Sequence, residues 1–315
     1  MIFCQSKWKR VLALRCSETN CFKLRIIIWF FIVGFCGTNT INCFAKIEVE
    51  TNESFIPKDK LLSYDDNIEP FSFAVISDPH SSEVIRKGYE KFGTAREKFK
   101  LCLDQINKIK EPHSPEFILI TGDIHLWAIK DIIKDVKLPI HVVAGNHENK
   151  VNKKELRDFF PNDFKRNGKE FDYYSFLHNK VRFIGICDAV SADHVGHLSS
   201  ETIQPFGQSE WLEVELKKEE KIKVIFGHIP PEPNGEDKNM WLSRNDSLFF
   251  NDLIKRTKPS MMFFGHQHKP KKLTVSGCDL YIVRSSSWNA HDMPIGFIFV
   301  SFQKDGVLIK DVIFN

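Results

Sequence analysis

The stretch FSFAVISDPH (Phe71–His80) decides how the chain is read. Its first seven residues form a nearly continuous apolar run of strand length, the pattern of a strand covered on both faces. The run ends in an Asp and a His one residue apart. The same logic recurs downstream. Apolar runs at Phe71–Ser77, Glu116–Thr121, Ile140–Ala144, Val181–Cys187, Lys223–Phe226 and Met261–Phe264 alternate with helical patterns and close on Gly, Asp, Asn or His. Between the first two runs, Phe99, Leu103, Ile106 and Ile109 recur at helical spacing within Thr94–Lys110. Thr94 and Glu97 suit a capping box, and Pro112 and Pro115 stop the helix. Further helices are expected over Gln208–Lys221 and Asp246–Thr257. This strand–helix–strand order predicts an α/β protein with a parallel-rich sheet. Tyr173–Phe176 and Val181–Cys187 read as a hairpin. Beyond Lys271 the pattern turns to strands, at Lys272–Ser276, Leu280–Arg284, Ile295–Phe302 and Val307–Phe314, the last two joined by a turn at Lys304–Gly306.

The chain of 315 residues is long enough for a sizeable core, and 42% hydrophobic with 27% charged residues is ordinary globular composition. Its net charge of +3 misleads. Residues 1–45 carry six of the 44 Lys/Arg and one of the 41 Asp/Glu, so the remainder has a net charge of −2 and is no basic nucleic-acid binder. The N-terminus has the three parts of an export signal. Basic residues precede the apolar core Ile26–Cys36, and Cys43-Phe44-Ala45 offers small residues to a signal peptidase. That core is short for a span, which needs about 20 apolar residues. Residues 1–45 are therefore expected to be a signal peptide or membrane anchor, 46–69 a polar linker and 70–315 one domain. The protein is expected to be exported: periplasmic, secreted or on the outer face of a membrane. Five of eight cysteines fall in the N-terminal segment, and Cys102, Cys187 and Cys278 read as buried small apolar residues.

The strand ends carry the chemistry. ISDPH supplies Asp78 and His80, TGDIH supplies Asp123, AGNHE supplies Asn146 and His147, FGHIPP supplies His228, and FGHQH supplies His266 and His268. Singly, each has an ordinary explanation, since an Asp after a strand often caps a helix and Asn-His is common in turns. Five strand ends with metal-capable side chains exceed that explanation. Ligands bind outside the carboxyl ends of strands in open α/β sheets, so these residues are expected to converge on one crevice. Nitrogen and oxygen donors without cysteine suit Mn, Fe or Zn. Seven of them are too many for one tetrahedral ion and suit two ions sharing a carboxylate, the arrangement that clamps a phosphoryl group. Asp-x-His and His-x-His put alternate residues on one side of an extended segment, and the preceding glycines are expected to let the backbone turn sharply.

These motifs, Asp78-Pro79-His80, Gly122-Asp123, Gly145-Asn146-His147-Glu148, Gly227-His228 and Gly265-His266-Gln267-His268, stand in the order of the calcineurin-like metallophosphoesterases, which the chain resembles over about residues 70–300. The resemblance implies a sandwich of two facing mixed β-sheets flanked by helices. It implies that Asp78, His80 and His268 hold one metal, that Asn146, His228 and His266 hold a second, and that Asp123 bridges them. His147 would reach the phosphate or protonate the leaving group. Leu126 stands where purple acid phosphatases have a metal-ligating Tyr, and His147 where lipid A–pathway hydrolases have Arg, which disfavours both branches. His125 reads as exposed loop filler, with contact to substrate or to the back of a metal ligand as the alternatives. SSSWNAHD (Ser285–Asp292) is expected to approach the cleft, if at all, through Asn289 or His291. His113, His141, His178, His194 and His197 match no ligand position and read as structural or surface residues.

The reading is then a dinuclear-metal hydrolase of small phosphate esters, using hydroxide held on the metals. Phosphodiesters are slightly preferred over phosphomonoesters. Polymeric nucleic acid is disfavoured by the neutral charge, and membrane contact is expected only through the N-terminal segment. The rival reading is a non-catalytic scaffold of the same fold.

Overall fold

The computed structural model describes residues 23–27, 47–61, 68–148, 150–190 and 193–315. The strands in chain order are β1 (Lys23–Ile27), β2 (Glu48–Pro57), β3 (Phe71–Ile76), β4 (Pro115–Thr121), β5 (Ile140–Val143), β6 (Lys165–Arg166), β7 (Lys169–Glu170), β8 (Tyr174–His178), β9 (Val181–Gly185), β10 (Ile222–Phe226), β11 (Met261–Phe264), β12 (Lys271–Val275), β13 (Cys278–Ile282), β14 (Ile295–Gln303) and β15 (Gly306–Phe314). The helices are α1 (Ala95–Ile106), α2 (Lys130–Asp135), α3 (Lys150–Phe159), α4 (Pro161–Phe164), α5 (Gln208–Leu216) and α6 (Arg244–Thr257).

Two mixed sheets result. One has the order β1-β2-β15-β14-β3-β4-β5 and the other β12-β13-β11-β10-β9-β8, with β6 and β7 forming a separate hairpin. Strands β3, β4 and β5 run parallel in the first sheet, and β9, β10, β11 and β13 run parallel in the second. The sheets meet through aromatic side chains. Phe73 lies edge-on to Phe183 at 5.2 Å and to Phe263 at 6.1 Å, and Phe117 lies edge-on to Phe183 at 5.1 Å. Fully burying one such ring contributes roughly 2–3 kcal/mol, and the edge-to-face geometry suits the ring quadrupoles.

Strand β11 shows why the apolar runs are continuous. Met261 and Phe263 join the core between the sheets, while Met262 and Phe264 join a second core with Leu212, Leu216, Phe250, Leu253 and Ile254 of α5 and α6. Alternate side chains point to opposite faces, so a strand covered on both must be apolar throughout. Helix α1 starts at Thr94 with a complete capping box and buries Phe99, Cys102, Leu103 and Ile106. The chain leaving β3 and the chain leaving β13 are tied together, with the Ser286 N–H donating to the Ser77 carbonyl at 2.9 Å.

The polar segment 46–69 is not a linker throughout. Glu48–Pro57 is strand β2, paired antiparallel with β15 from Val49↔Phe314 to Pro57↔Gly306. No residue of β2 is buried, although Val49 and Ile56 reach the core. Ladder hydrogen bonds rather than an apolar face hold it, so hydropathy hides it. The export signal expected at 1–45 lies outside the described residues, except that the backbone of Lys23–Ile27 forms edge strand β1 against β2. Among the described residues, no helix is long and apolar enough to cross a membrane. Cys102, Cys187 and Cys278 are buried free thiols.

Candidate metal centre

The parallel strands bring their carboxyl ends to one crevice between the sheets. Asp78 and His80 follow β3, Asp123 and His125 follow β4, and Asn146 and His147 follow β5. His228 follows β10, and His266 and His268 follow β11. Asp78, Asp123, Asn146, His228, His266 and His268 are all buried, and His80 is half-buried. The two sheets lock directly at this point: the His266 N–H donates to the Asp78 carboxylate at 3.0–3.1 Å, and the His228 ring bonds the Thr121 carbonyl.

Two sets of donors emerge. In the first, His268 Nε2 lies 3.3 Å from Asp78 Oδ1 and 3.1 Å from His80 Nε2. In the second, Asn146 Oδ1 lies 3.0 Å from both His228 Nε2 and His266 Nδ1. Asp123 Oδ2 sits between the sets, 3.5 Å from His80 Nε2 and 3.3 Å from His228 Nε2. Ligand atoms of Asp78, His80 and His268 cluster within 4.8 Å of one another, as do those of Asp123, His228 and His266. Three rings are also oriented from behind. His228 Nδ1 faces the Thr121 carbonyl at 2.7 Å, His268 Nδ1 the Trp288 carbonyl at 2.6 Å, and His266 Nε2 the His194 carbonyl at 3.1 Å. A carbonyl can only accept, so each of those nitrogens carries its proton and the other nitrogen is turned to the donor set. This donor chemistry and its backing fit two ions that share one carboxylate.

A profile described as calcineurin-like phosphoesterase matches residues 71–270. The chain belongs to that family. A probable glycerophosphodiester phosphodiesterase of Arcobacter nitrofigilis is 26% identical over 172 residues, covering 50% of this chain and 56% of its own length. The chain thus spans little more than half of that curated relative. A dimetal phosphatase from Danio rerio superposes with a TM-score of 0.57 at 14% identity, covering 78% of this chain and 99% of its own. The protein described as the anchor in the inner membrane complex of Plasmodium superposes at 0.52 with 13% identity, covering 76% and 83%. The fold is therefore that of the calcineurin-like phosphoesterases, two mixed sheets with helices.

Electrostatics in this phosphoesterase centre leave free lone pairs on Asp78, His80, Asp123 and His266, but not on His228. Burial pushes His80 and His266 down to about 3, against the pull of Asp78 and Asp123. Burial opposes ionisation of Asp78, but His268 and His228 outweigh it and hold its carboxyl at about 2. Asp123 is likewise held far below the carboxylate range, against burial, by His228, His80 and His147. Burial would lower His228, yet Asp123, Asp78 and Asp188 push it up to about 10, so a proton and a cation compete for its Nε2.

Two buried carboxylates outside the donor sets organise the loops. Glu148 accepts backbone N–H bonds from Asp123, Ile124, His125 and Gly145, at 2.8–3.2 Å, and so stitches the turn after β4 to the turn after β5. Asp188, at the end of the β9 segment, accepts from the N–H groups of His228 and Ile229 at 2.9 and 3.0 Å. Asp188 is an Asp at a sixth strand end, so the rule that picks out residues at the other five also applies to it. Burial pushes Asp188 from 3.8 up to about 7. The folded state then holds this proton more tightly than the unfolded chain does, so stability falls as pH rises from about 4 through 7. For metal-free protein, melting temperatures at pH 5 and 7.5 should show a larger decline in wild type than in Asp188→Asn. An equal decline in both would remove Asp188 from this role.

Other expectations need correction. Of the four motif glycines, Gly122 alone has a positive φ, at 90°. Gly145 and Gly265 serve close approach instead: a Cβ at Gly145 would overlap Asp123 Oδ1, and one at Gly265 would overlap Asp78 Oδ2. The Ser285–Asp292 segment reaches the cleft through Ser287 and Trp288, not through Asn289 or His291. Asn289 is buried in bonds to Ser285 and Pro294, and His291 is exposed. The hydroxyls of Ser285 and Ser287 donate to the Asp78 carbonyl at 2.9 and 3.1 Å. Trp288 stacks on His268 at 3.9 Å and carries the Arg86 guanidinium at 3.9 Å. His194 lines the cleft, whereas His141, His178 and His197 face Asp163, Glu116 and Asp246 away from it. The cleft has a volume of about 290 Å³ and also takes in His80, His125, His147 and Lys98. His147 is exposed at its mouth, its ring 4.9 Å from that of His80.

Proposed function

We propose that this chain is a dinuclear-metal hydrolase of small phosphate esters that prefers phosphodiesters to phosphomonoesters. The observation that carries this reading is the single Asp123 oxygen placed between two complete donor sets. Asp78, His80 and His268 would hold one ion, Asn146, His228 and His266 the other, and Asp123 both. When bound, such a pair neutralises phosphoryl charge and makes water a nucleophile at neutral pH. The chain's own residues do the rest. The backbone carbonyls of Thr121, Trp288 and His194 hold three rings in one tautomer. His147, exposed at the mouth, donates a ring N–H proton to the leaving alkoxide. The preference for diesters rests on the similarity to a probable glycerophosphodiester phosphodiesterase. Export is proposed from the basic and apolar N-terminal segment alone.

The scaffold reading draws on a fold neighbour described as an anchor. Against it stands the donor set, in which no position is lost. The deciding experiment combines metal analysis with a panel of aryl phosphate monoesters, aryl phosphate diesters and cyclic nucleotides on the same sample. About two ions per chain, with diester turnover above monoester turnover, is the expected result. Fewer than one ion and no turnover with added Mn would favour the scaffold.

A further inference from the structure

The Asp-x-His pair occurs twice in the chain, as Asp78-Pro79-His80 and as Asp123-Ile124-His125, and His266-Gln267-His268 repeats its spacing. All six end residues have left-handed backbone, with φ of 45°, 41°, 53°, 53°, 67° and 49°. That conformation is unfavourable for a residue with a β-carbon and persists where surrounding structure imposes it. Five of the six supply atoms to the donor sets. His125 is the sixth, and it stands to Asp123 as His80 stands to Asp78. Its backbone is accounted for: the Glu148 carboxylate takes its N–H at 3.2 Å, and its carbonyl accepts from Ala128 at 2.9 Å to start a short 3-10 turn. A turn start requires no imidazole in the cleft, however. The ring lines the cleft, 5.4 Å from His80 and 5.7 Å from His147, and its Nδ1 is buried without a hydrogen-bond partner. Ring nitrogens of His80, His125 and His147 lie within 4.8 Å of one another. His80 already serves the first donor set, which leaves His125 and His147 as neighbouring rings in the same cleft.

We infer that His125 is a further substrate-contacting residue, one that donates a hydrogen bond to a phosphoryl oxygen beside the leaving oxygen met by His147. This rests on the phosphoesterase reading above. A neutral imidazole presents one N–H, and a bond from it to an anionic oxygen is of the stronger, charge-assisted kind. A phosphoryl group has more oxygens than two ions take up, and neighbouring oxygens on one phosphorus fit the spacing of the two rings.

The test uses metal-loaded full-length wild type, His125→Ala and His125→Gln, with inorganic phosphate as the probe in titration calorimetry. Metal content, melting temperature and aryl phosphate kcat/KM are measured on the same samples. Losing a hydrogen bond to a charged group should weaken phosphate binding by about 10- to 100-fold in His125→Ala. Metal content should stay unchanged, and the amide of His125→Gln should restore part of the affinity. Phosphate affinity within twofold of wild type in His125→Ala would overturn the inference. So would equal metal loss in both variants, which would make His125 a support for Asp123, and so would a wild type that binds no phosphate. A wild type that binds phosphate but hydrolyses no ester would sink the phosphoesterase reading while leaving the His125 contact measurable.

Discussion

Asp123→Asn is expected to lower turnover of aryl phosphate esters by at least about a thousandfold, roughly 4 kcal/mol of transition-state stabilisation, without unfolding the protein. One oxygen, Oδ2, faces His80 of the first donor set and His228 of the second. The amide is nearly isosteric and can still accept the His147 N–H, which Oδ1 takes at 2.9 Å. It cannot bring negative charge to two cations, and its NH₂ would meet nitrogens that need to be ligands. Removing one member of a buried ion pair usually destabilises by stranding the other. Here the partner, His228, is an imidazole that can shed its proton: burial favours its neutral form, and Asp123 is the foremost of the groups that oppose burial. The measurements are turnover, bound metal and the thermal melt. Full activity in the variant would refute the shared-ligand assignment. A lost melting transition would show that Asp123 is needed for folding.

His147→Ala is expected to reduce turnover by about 10²- to 10⁴-fold, the range of a positioned general acid, with bound metal unchanged. The ring is exposed at the cleft mouth and lies in neither donor set, and the backbone N–H bond to Asp123 survives the substitution. The loss should be larger for an alkyl phosphate ester than for a nitrophenyl ester, whose leaving group needs no proton. Equal losses for both would remove the proton-donor role. Metal loss in step with activity would make His147 a ligand.

Much of this was legible in the residues because both kinds of signal are local. A strand covered on both faces must be apolar throughout, so Met261–Phe264 announces itself within four residues. Thr94 and Glu97 announce the start of α1 because a capping box is a contact within one turn. The candidate ligands were legible because each stands next to a strand end. Strand β2 was not, since it is polar and is held by β15, some 250 residues away along the chain. The roles of Ser287 and Trp288 are not legible in the sequence either, because they depend on how the chain leaving β13 meets the chain leaving β3. From sequence a glycine suggests a turn, which holds at Gly122, and only the positions of the Asp123 and Asp78 side chains reveal that space is what Gly145 and Gly265 provide.

The sequence by itself determined the strand–helix order, the family pattern and the residue types able to hold metals, because each depends on neighbours a few positions apart. The tertiary structure decided which donors cluster, which ring nitrogens face each cluster, and that Asp123 lies between both sets. It also decided that His125 belongs in the cleft. Those facts depend on the register of two sheets whose contributing residues lie as much as 190 positions apart, from Asp78 to His268. Hydrogen bonds and carboxylate–imidazole contacts reach only a few ångströms, so the chain must be folded before its residues can settle them.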